Sequence, residues 1–125
     1  MPDYDPMKAP DAAWWLSLDE DERNALIVDY HRRARVKLPN ARAHCAFHAI
    51  VETQVAMGDE LTVAGTLARL QADGLDRHDA LHAIASLLAE GVYDIMKAGK
   101  TDSDPNQAYR AALEKLSAKP WRDAR

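Results

Sequence analysis

A pattern of paired histidines occurs twice in the chain and constrains its fold more than any other sequence feature. His44 and His48 are followed by Ala-Ile, and His78 and His82, thirty-four residues later, are followed by the same dipeptide. Residues four apart share one face of an α-helix. Each copy of His-x-x-x-His-Ala-Ile therefore predicts a helix that presents two imidazoles as a pair.

Composition agrees with an all-α protein. The 125 residues are enough for one domain with a substantial core. Ala and Leu are abundant whereas β-branched residues are few, which favours helix over strand. We expect residues 1–13, which contain three prolines, to be a mobile lead-in, and residues 14–125 to form a single helical domain.

Apolar periodicity predicts a small bundle of about five helices, built from two duplicated helical hairpins. Short connections make successive helices antiparallel, so the second and fourth helices, which carry the histidine pairs, should run roughly parallel. The predicted helices cover about residues 19–36, 41–57, 62–72, 76–97 and a last stretch that begins at Pro105.

Local signals mark the ends of these helices. Ser17 and Glu20 resemble a capping box at the start of the first helix. Pro39 should end that helix, Asn40 should cap the second, and Gly58 should close it.

The histidine pairs fall beside the predicted apolar stripes. At about 100° per residue, Val51 and Val55 lie within about 20° of His44 on the second helix, and Phe47 and Ile50 complete the apolar arc. On the fourth helix, His78 has the same angular position relative to the apolar stripe as His44 has on the second helix. This stripe consists of Leu81, Ile84, Ala85, Leu88, Val92 and Ile95. The imidazoles are thus predicted to face the interior.

Buried histidines in this number predict a metal site. Neutral imidazole is a common ligand of zinc, nickel, copper and iron, and leaving one buried without a partner costs on the order of 1–3 kcal/mol. We therefore predict a divalent transition metal such as zinc, nickel or iron, with a structural hydrogen-bond network as the alternative. The candidate ligands are His44, His48, His78 and His82, with Glu52 and Glu90 as oxygen ligands or as groups that orient the imidazoles.

The order of these residues resembles a known family. A motif from Asn40 to Gln54 reads Asn-x-x-x-His-x-x-x-His-x-x-x-Glu-x-Gln, and it is followed by His-x-x-x-His-Ala and by Tyr109 before Leu113. This combination is similar to an uncharacterised bacterial family catalogued only as a domain of unknown function. The resemblance covers about residues 38–116. It implies a helical fold and histidines that matter as a set, and it supplies no activity.

Two enzyme families show partial similarity. His48-x-x-x-Glu52 followed by His78 and His82 is similar to the order of ligands in haemerythrin-like di-iron bundles, whose later ligands have no counterpart here. His78-Asp79 is similar to the start of the metal-dependent phosphohydrolase signature, whose final aspartate is not identifiable. Since no nucleophile or general base is assignable, the sequence predicts no reaction.

Charge and apolar content argue against two classes of partner. The net charge is −4 and the pI is about 5.7, which gives no general attraction to nucleic acid or anionic membranes. No apolar run approaches the roughly 20 residues of a membrane span. A single cysteine, Cys45, is predicted to be a packing residue, and with the acidic N-terminus it predicts a cytoplasmic location.

The tryptophans suggest an alternative function. We expect Trp14-Trp15-Leu16 to pack on the domain as an anchor, since the segment is too apolar to remain in water. If Trp14, Trp15 or Trp121 instead joins two copies, the protein is a non-enzymatic interaction module or homodimer. Its histidines would then form only a hydrogen-bond network.

Overall fold

The regular structure is helical throughout the part of the chain that the computed structural model describes, residues 4–34, 41–58, 62–98 and 105–120. This confirms the all-α prediction; the duplicated-hairpin origin stays a prediction. The helices in these ranges are α1 (Ala12–Ser17), α2 (Glu20–Arg33), α3 (Ala41–Ala56), α4 (Val63–Ala72), α5 (Arg77–Ala98) and α6 (Pro105–Lys115).

The cap of α2 differs from the predicted one. Asp19 is the N-cap: its carboxylate accepts from the Glu22 N–H, and the Glu22 side chain accepts from the Asp19 N–H. The predicted capping box of Ser17 and Glu20 is wrong, because Ser17 ends the short helix α1, which the sequence did not reveal, and its hydroxyl donates to the Trp14 carbonyl.

Glycines follow both α3 and α4, at Gly58 as predicted and at Gly74. Gly58 and Gly74 have φ angles of +93° and +110°, which suit a residue without a Cβ. After Gly74 the Leu75 N–H donates to the Leu70 carbonyl at 3.1 Å, closing the end of α4. Asp76 then caps α5. The predicted break at Pro39 and cap at Asn40 lie outside the described residues.

An aliphatic core joins α3, α4, α5 and α6. Six of its large side chains have no solvent exposure, and burying each of these contributes about 1.5–3 kcal/mol. α4 is short, at 10 residues, and its apolar stripe packs on α3, α5 and α6. These six are Val51, Val63, Leu70, Leu81, Ile84 and Leu113.

A second apolar group, the N-terminal cluster of Tyr4, Trp15, Leu18, Ile27, Cys45 and Ala49, packs around α1, α2 and the first half of α3. Trp15 is fully buried, and its indole N–H donates to the Thr53 hydroxyl at 3.0 Å. The predicted anchor is therefore confirmed for Trp15, whereas Leu16 is 41% exposed. Trp121 lies outside the described residues.

The segment predicted as a lead-in contributes buried side chains. Tyr4 is 3% exposed and Pro6 is fully buried, and the Pro6 carbonyl accepts from Arg77 at 2.9 Å. The predicted boundary at residue 14 therefore does not separate Tyr4 and Pro6 from the packed domain.

The helices α3 and α5 pack directly on each other, and their contacts follow the order of antiparallel helices. His44 lies beside His82, and Glu52, two turns further along α3, lies beside Arg77 at the start of α5. The predicted parallel arrangement is wrong. α4 has 10 residues whereas α5 has 22, so α4 is a short connecting helix and not the full-length second helix of a hairpin.

Two residues of the predicted inward stripes face water. Ile50 is 41% exposed and Val92 is 36% exposed, and near Val92 Tyr93 and Met96 are exposed as well. The apolar stripe of α5 is therefore buried in its first half only. Among the described residues, no helix is both long and apolar enough to cross a membrane.

Candidate metal centre

All five histidines meet between α2, α3 and α5. We call this group the imidazole cluster: His31 from α2, His44 and His48 from α3, and His78 and His82 from α5. The ring of His31 contacts the other four, with centroids 5.2–5.8 Å away, and the closest pair, His78 and His82, is 4.1 Å apart.

Helical spacing explains how the rings converge. The four-residue interval places both imidazoles of each pair on one face of α3 or α5. Because these helices pack in antiparallel order, the last ring of one pair faces the first ring of the other. α2 lies against α3, and its last turn adds His31 over the centre.

Four of the rings can direct nitrogen atoms at a common point. His31, His48, His78 and His82 each offer one ring nitrogen, and these four atoms lie within 4.8 Å of one another. The Nε2 atoms of His31 and His78 are 3.3 Å apart, long for a hydrogen bond. Two ligands bound to zinc at about 2.0–2.1 Å with a tetrahedral angle are separated by about 3.3 Å.

The free nitrogen of His31 is identified by its hydrogen bond. Its Nδ1 lies 2.8 Å from the Ile27 carbonyl, which can only accept. Nδ1 therefore carries the proton in the neutral ring, and the Nε2 lone pair faces His78 and the rest of the cluster.

The hydrogen bonds of Tyr4 identify which ring nitrogen of His48 carries no proton. Tyr4 has one hydroxyl proton, which it donates to Glu52 Oε2 at 2.5 Å. The Tyr4 oxygen must then accept from His48 Nε2–H, 2.9 Å away. This leaves a lone pair on Nδ1 of His48, which is completely buried and has no hydrogen-bond partner among the described residues.

Glu52 holds this chain in place. Arg77 donates to both of its oxygens, at 2.5 and 2.9 Å, and both side chains are buried. Such bidentate pairs fix orientation as well as charge. Burial, followed by the charge of Glu52, raises the pKa of Tyr4 well above its ordinary value, so that the hydroxyl keeps its proton. Glu52 thus orients His48 through Tyr4, in the manner of carboxylates behind metal ligands.

The histidines of α3 and α5 are neutral at physiological pH. Burial lowers the pKa of His78 to about 4 and that of His82 to about 3, with further lowering by neighbouring imidazoles. Burial also lowers the pKa of His44, and that of His48 well below its ordinary value. Neutral imidazole is the form that binds metals.

The other predicted residues have different positions. His44 lies outside the group of four, with its Nε2 2.9 Å from Nε2 of His82. Glu90 is exposed on α5, eight residues beyond His82, and it is not in the group found among the described residues. Cys45 is buried in the N-terminal cluster, as predicted, and burial raises its pKa.

The sequence interpretation missed His31 and Tyr4. His31 lies in a cationic last turn, where a charge favoured by the helix dipole was the simpler explanation. Its position four residues after Ile27 was the available signal, because Ile27 is buried on the same face. Tyr4 gave no signal, since its contacts with His48 and Glu52 are 44 and 48 residues away in the chain.

Comparison of the chain with protein-family models, curated proteins and solved structures finds no match.

Proposed function

We propose that the protein is a metal-binding helical bundle that holds one divalent transition metal ion through His31, His48, His78 and His82. The observation that carries this proposal is the lone pair on His48 Nδ1, which is buried within the imidazole cluster and has no hydrogen-bond partner among the described residues. Membership of the uncharacterised bacterial family that the sequence resembles is part of the same proposal.

A hydrogen-bond network alone explains the cluster less well. A buried acceptor without a partner costs about 1–3 kcal/mol, and the Tyr4–Glu52–Arg77 chain holds His48 in the tautomer that leaves Nδ1 unprotonated. Native proteins satisfy most buried polar atoms. A metal ion would bind the His48 lone pair together with that of His31, which points to the same centre.

The type of ligand narrows the choice of metal. Magnesium and calcium prefer oxygen ligands, and the proposed set contains only imidazole nitrogen. The 3.3 Å separation of the His31 and His78 nitrogens suits a tetrahedral ion. We therefore favour zinc, with nickel and iron as competitors that the same ligand type accepts.

Metal content measured before and after chelation tests the proposal. Purified protein, stripped with EDTA and reloaded with zinc, should bind one equivalent per chain. His48→Gln should lose stoichiometric binding, whereas Cys45→Ala, which removes the only thiol of the chain, should bind normally. Circular dichroism of the stripped samples would show that each variant is folded.

Absence of stoichiometric binding by the folded wild type, for zinc, cobalt, nickel and iron(II) alike, would overturn the proposal. Retention of full affinity by folded His48→Gln would also contradict it, because the buried lone pair would then have no role in binding.

A further inference from the structure

We propose that residues 4–10 form a strap whose docking on the bundle is coupled to metal binding in the imidazole cluster. A bound ion holds the strap in place, and the docked strap tightens the binding of the ion. This inference rests on the proposed function and adds a form of regulation to it, because any change that displaces the strap weakens the site.

The strap contains a turn but no helix, and two of its side chains attach it to the bundle. Tyr4 is 3% exposed and Pro6 is fully buried, whereas Asp5, Met7 and Lys8 are exposed. The Pro6 carbonyl also accepts from Arg77 at 2.9 Å. A segment held by so few buried contacts opens locally at a lower free energy than the core does.

The second half of the strap is packed less closely than the first. An open groove of about 420 Å³ is lined by residues 4, 5 and 8–11 of the chain and by Trp14 of α1. Residues 8–10 therefore border open space on this side. Local opening has to break mainly the contacts of Tyr4 and Pro6.

One of these two attachments is a hydrogen bond to a proposed metal ligand. The Tyr4 oxygen accepts from His48 Nε2–H at 2.9 Å, while the Tyr4 proton is donated to Glu52. With the strap docked, His48 is held in the tautomer that leaves its Nδ1 lone pair within the cluster. With the strap displaced, His48 loses this acceptor and its ring can adopt either tautomer.

A metal ion makes docking of the strap more favourable. Without metal, the docked strap keeps the buried His48 Nδ1 lone pair without a partner among the described residues, which is unfavourable. An ion on Nδ1 satisfies that lone pair and fixes the ring proton on Nε2, where the Tyr4 oxygen accepts it. The same hydrogen bond is therefore compatible with the loaded site and costly in the empty one.

Charge acts in the same direction. The Asp5 carboxylate, next to Tyr4 in the strap, lies close enough to His78 to act on it electrostatically. Since the four proposed ligands are imidazoles, a divalent ion among them would attract this carboxylate. Asp5 is exposed, so water screens the attraction and makes it the smaller contribution.

The size of the coupling can be stated in advance. Loss of an outer hydrogen-bond partner of a metal ligand typically lowers metal affinity about 10–100-fold. Coupling between two equilibria is reciprocal. Zinc should therefore lower the population of the open strap by the same factor.

Trypsin cleavage after Lys8 measures that population. Lys8 is exposed, but the protease must also bind the residues that precede it, including the buried Pro6. When opening and closing are fast relative to cleavage, the rate follows the open population. The full-length protein would be digested with excess zinc or with EDTA, at trypsin concentrations to which the rate is proportional, and mass spectrometry would follow the cut.

We expect zinc to slow cleavage after Lys8 by about 10–100-fold in the wild type. Tyr4→Phe keeps the ring but removes the hydroxyl that contacts His48, so saturating zinc should change its cleavage rate little. The zinc dissociation constant of Tyr4→Phe should rise by the factor by which zinc slows wild-type cleavage. Because the same buffers are used, this variant also controls for effects of zinc on trypsin.

Pro6→Ala is the matched control for docking alone. It removes part of a buried attachment that has no printed contact with the histidines, so cleavage after Lys8 should be faster both with and without zinc. The ratio of the two rates should stay at the wild-type value. Cleavage after Arg77, inside the bundle, should be slower than cleavage after Lys8 in every sample, because it requires the bundle to open.

The outcomes separate the two proposals. If the folded wild type binds no zinc, the proposed metal function fails. If it binds one zinc but cleavage after Lys8 is equally fast with zinc and with EDTA, only the coupling is overturned. Slowing by zinc that is as large in Tyr4→Phe as in the wild type, or cleavage after Arg77 as fast as after Lys8, would also overturn it.

Discussion

The aliphatic core and the imidazole cluster share two helices, α3 and α5, and their interiors differ in kind. Leu81 belongs to the core, and the next residue along α5, His82, belongs to the cluster. The core needs no ligand, because its apolar side chains are stabilised by packing on one another away from water. The cluster contains at least one buried lone pair without a described partner. One region therefore stabilises the fold by itself, whereas the other presents electron pairs that a ligand can satisfy.

The largest effect should come from breaking the ion pair behind the cluster. Arg77→Met leaves the Glu52 carboxylate buried without its partner, and such changes cost about 3–5 kcal/mol. Urea denaturation would measure the loss. The Glu52→Gln/Arg77→Met double variant removes both charges and should recover part of it; a double variant as unstable as Arg77→Met would show that charge is not the cause.

Truncation of the aliphatic core should follow in size. Leu81→Ala removes a side chain with no solvent exposure and should lower the free energy of unfolding by about 2–5 kcal/mol. The loss should be equal with and without zinc, since Leu81 belongs to the aliphatic core and is not one of the proposed ligands. Leu88→Ala, at a partly buried position of the same helix, is the control and should cost less. A Leu81→Ala loss that depended on zinc would contradict the separation of the two regions.

Metal should stabilise the protein through the cluster alone. Free zinc at one hundred times its dissociation constant should raise the free energy of unfolding by about 2.7 kcal/mol. Wild type and Cys45→Ala should gain this amount, and His48→Gln should gain little. Thermal unfolding with zinc and with EDTA would measure the difference. Equal gains in His48→Gln and wild type would place the ion elsewhere.

Removal of one hydroxyl should have a smaller effect. Tyr4→Phe leaves His48 Nε2–H without its acceptor, so the metal affinity should fall about 10–100-fold. Calorimetric titration with zinc would measure it. Tyr30→Phe is a matched control, because the Tyr30 ring contacts His31 and His78 through its edge and face, which the change retains. Equal affinities in both variants would show that the hydroxyl does not orient His48.

The smallest change near neutral pH should be the response of the metal-free protein to acid. In the unfolded chain histidines titrate near pH 6.5, whereas in the folded protein the pKa values of His78 and His82 are about 4 and 3. Between these limits the unfolded state binds more protons, so stability falls as the pH falls. Urea midpoints of EDTA-treated protein should therefore decrease slightly from pH 7.5 to 6.5 and more steeply towards pH 4. A constant midpoint would contradict the buried, neutral state of these rings.

The fold and three of the four proposed ligands could be predicted from sequence because both depend on local periodicity. The four-residue spacing in each motif is enough to place His48, His78 and His82 on inward faces of their helices. Glu52 could also be identified, although its place is behind the ligands and not among them. Apolar spacing failed at Val92, where the stripe continues in sequence after the packing neighbours end.

The remaining part depends on tertiary structure. α5 runs antiparallel to α3 after the 10-residue helix α4, and no periodic pattern in the sequence encodes that direction. The roles of Tyr4 and His31 arise from packing between segments distant in sequence. Tyr4 leaves no local pattern, and the spacing of His31 from Ile27 indicates only an inward face, so neither residue was among the predicted ligands.

The antiparallel packing of α3 and α5 gives the centre an approximate exchange symmetry. Interchanging the two motif copies would pair His44 with His82 and His48 with His78 as before. No second histidine corresponds to His31 in this exchange. The two sides of a bound ion would therefore differ, with one side covered by α2 and the other facing outward. Reagents would reach the ion from the outward side only. The surroundings of the ion would thus be asymmetric, even though the two helices that hold it carry nearly the same motif.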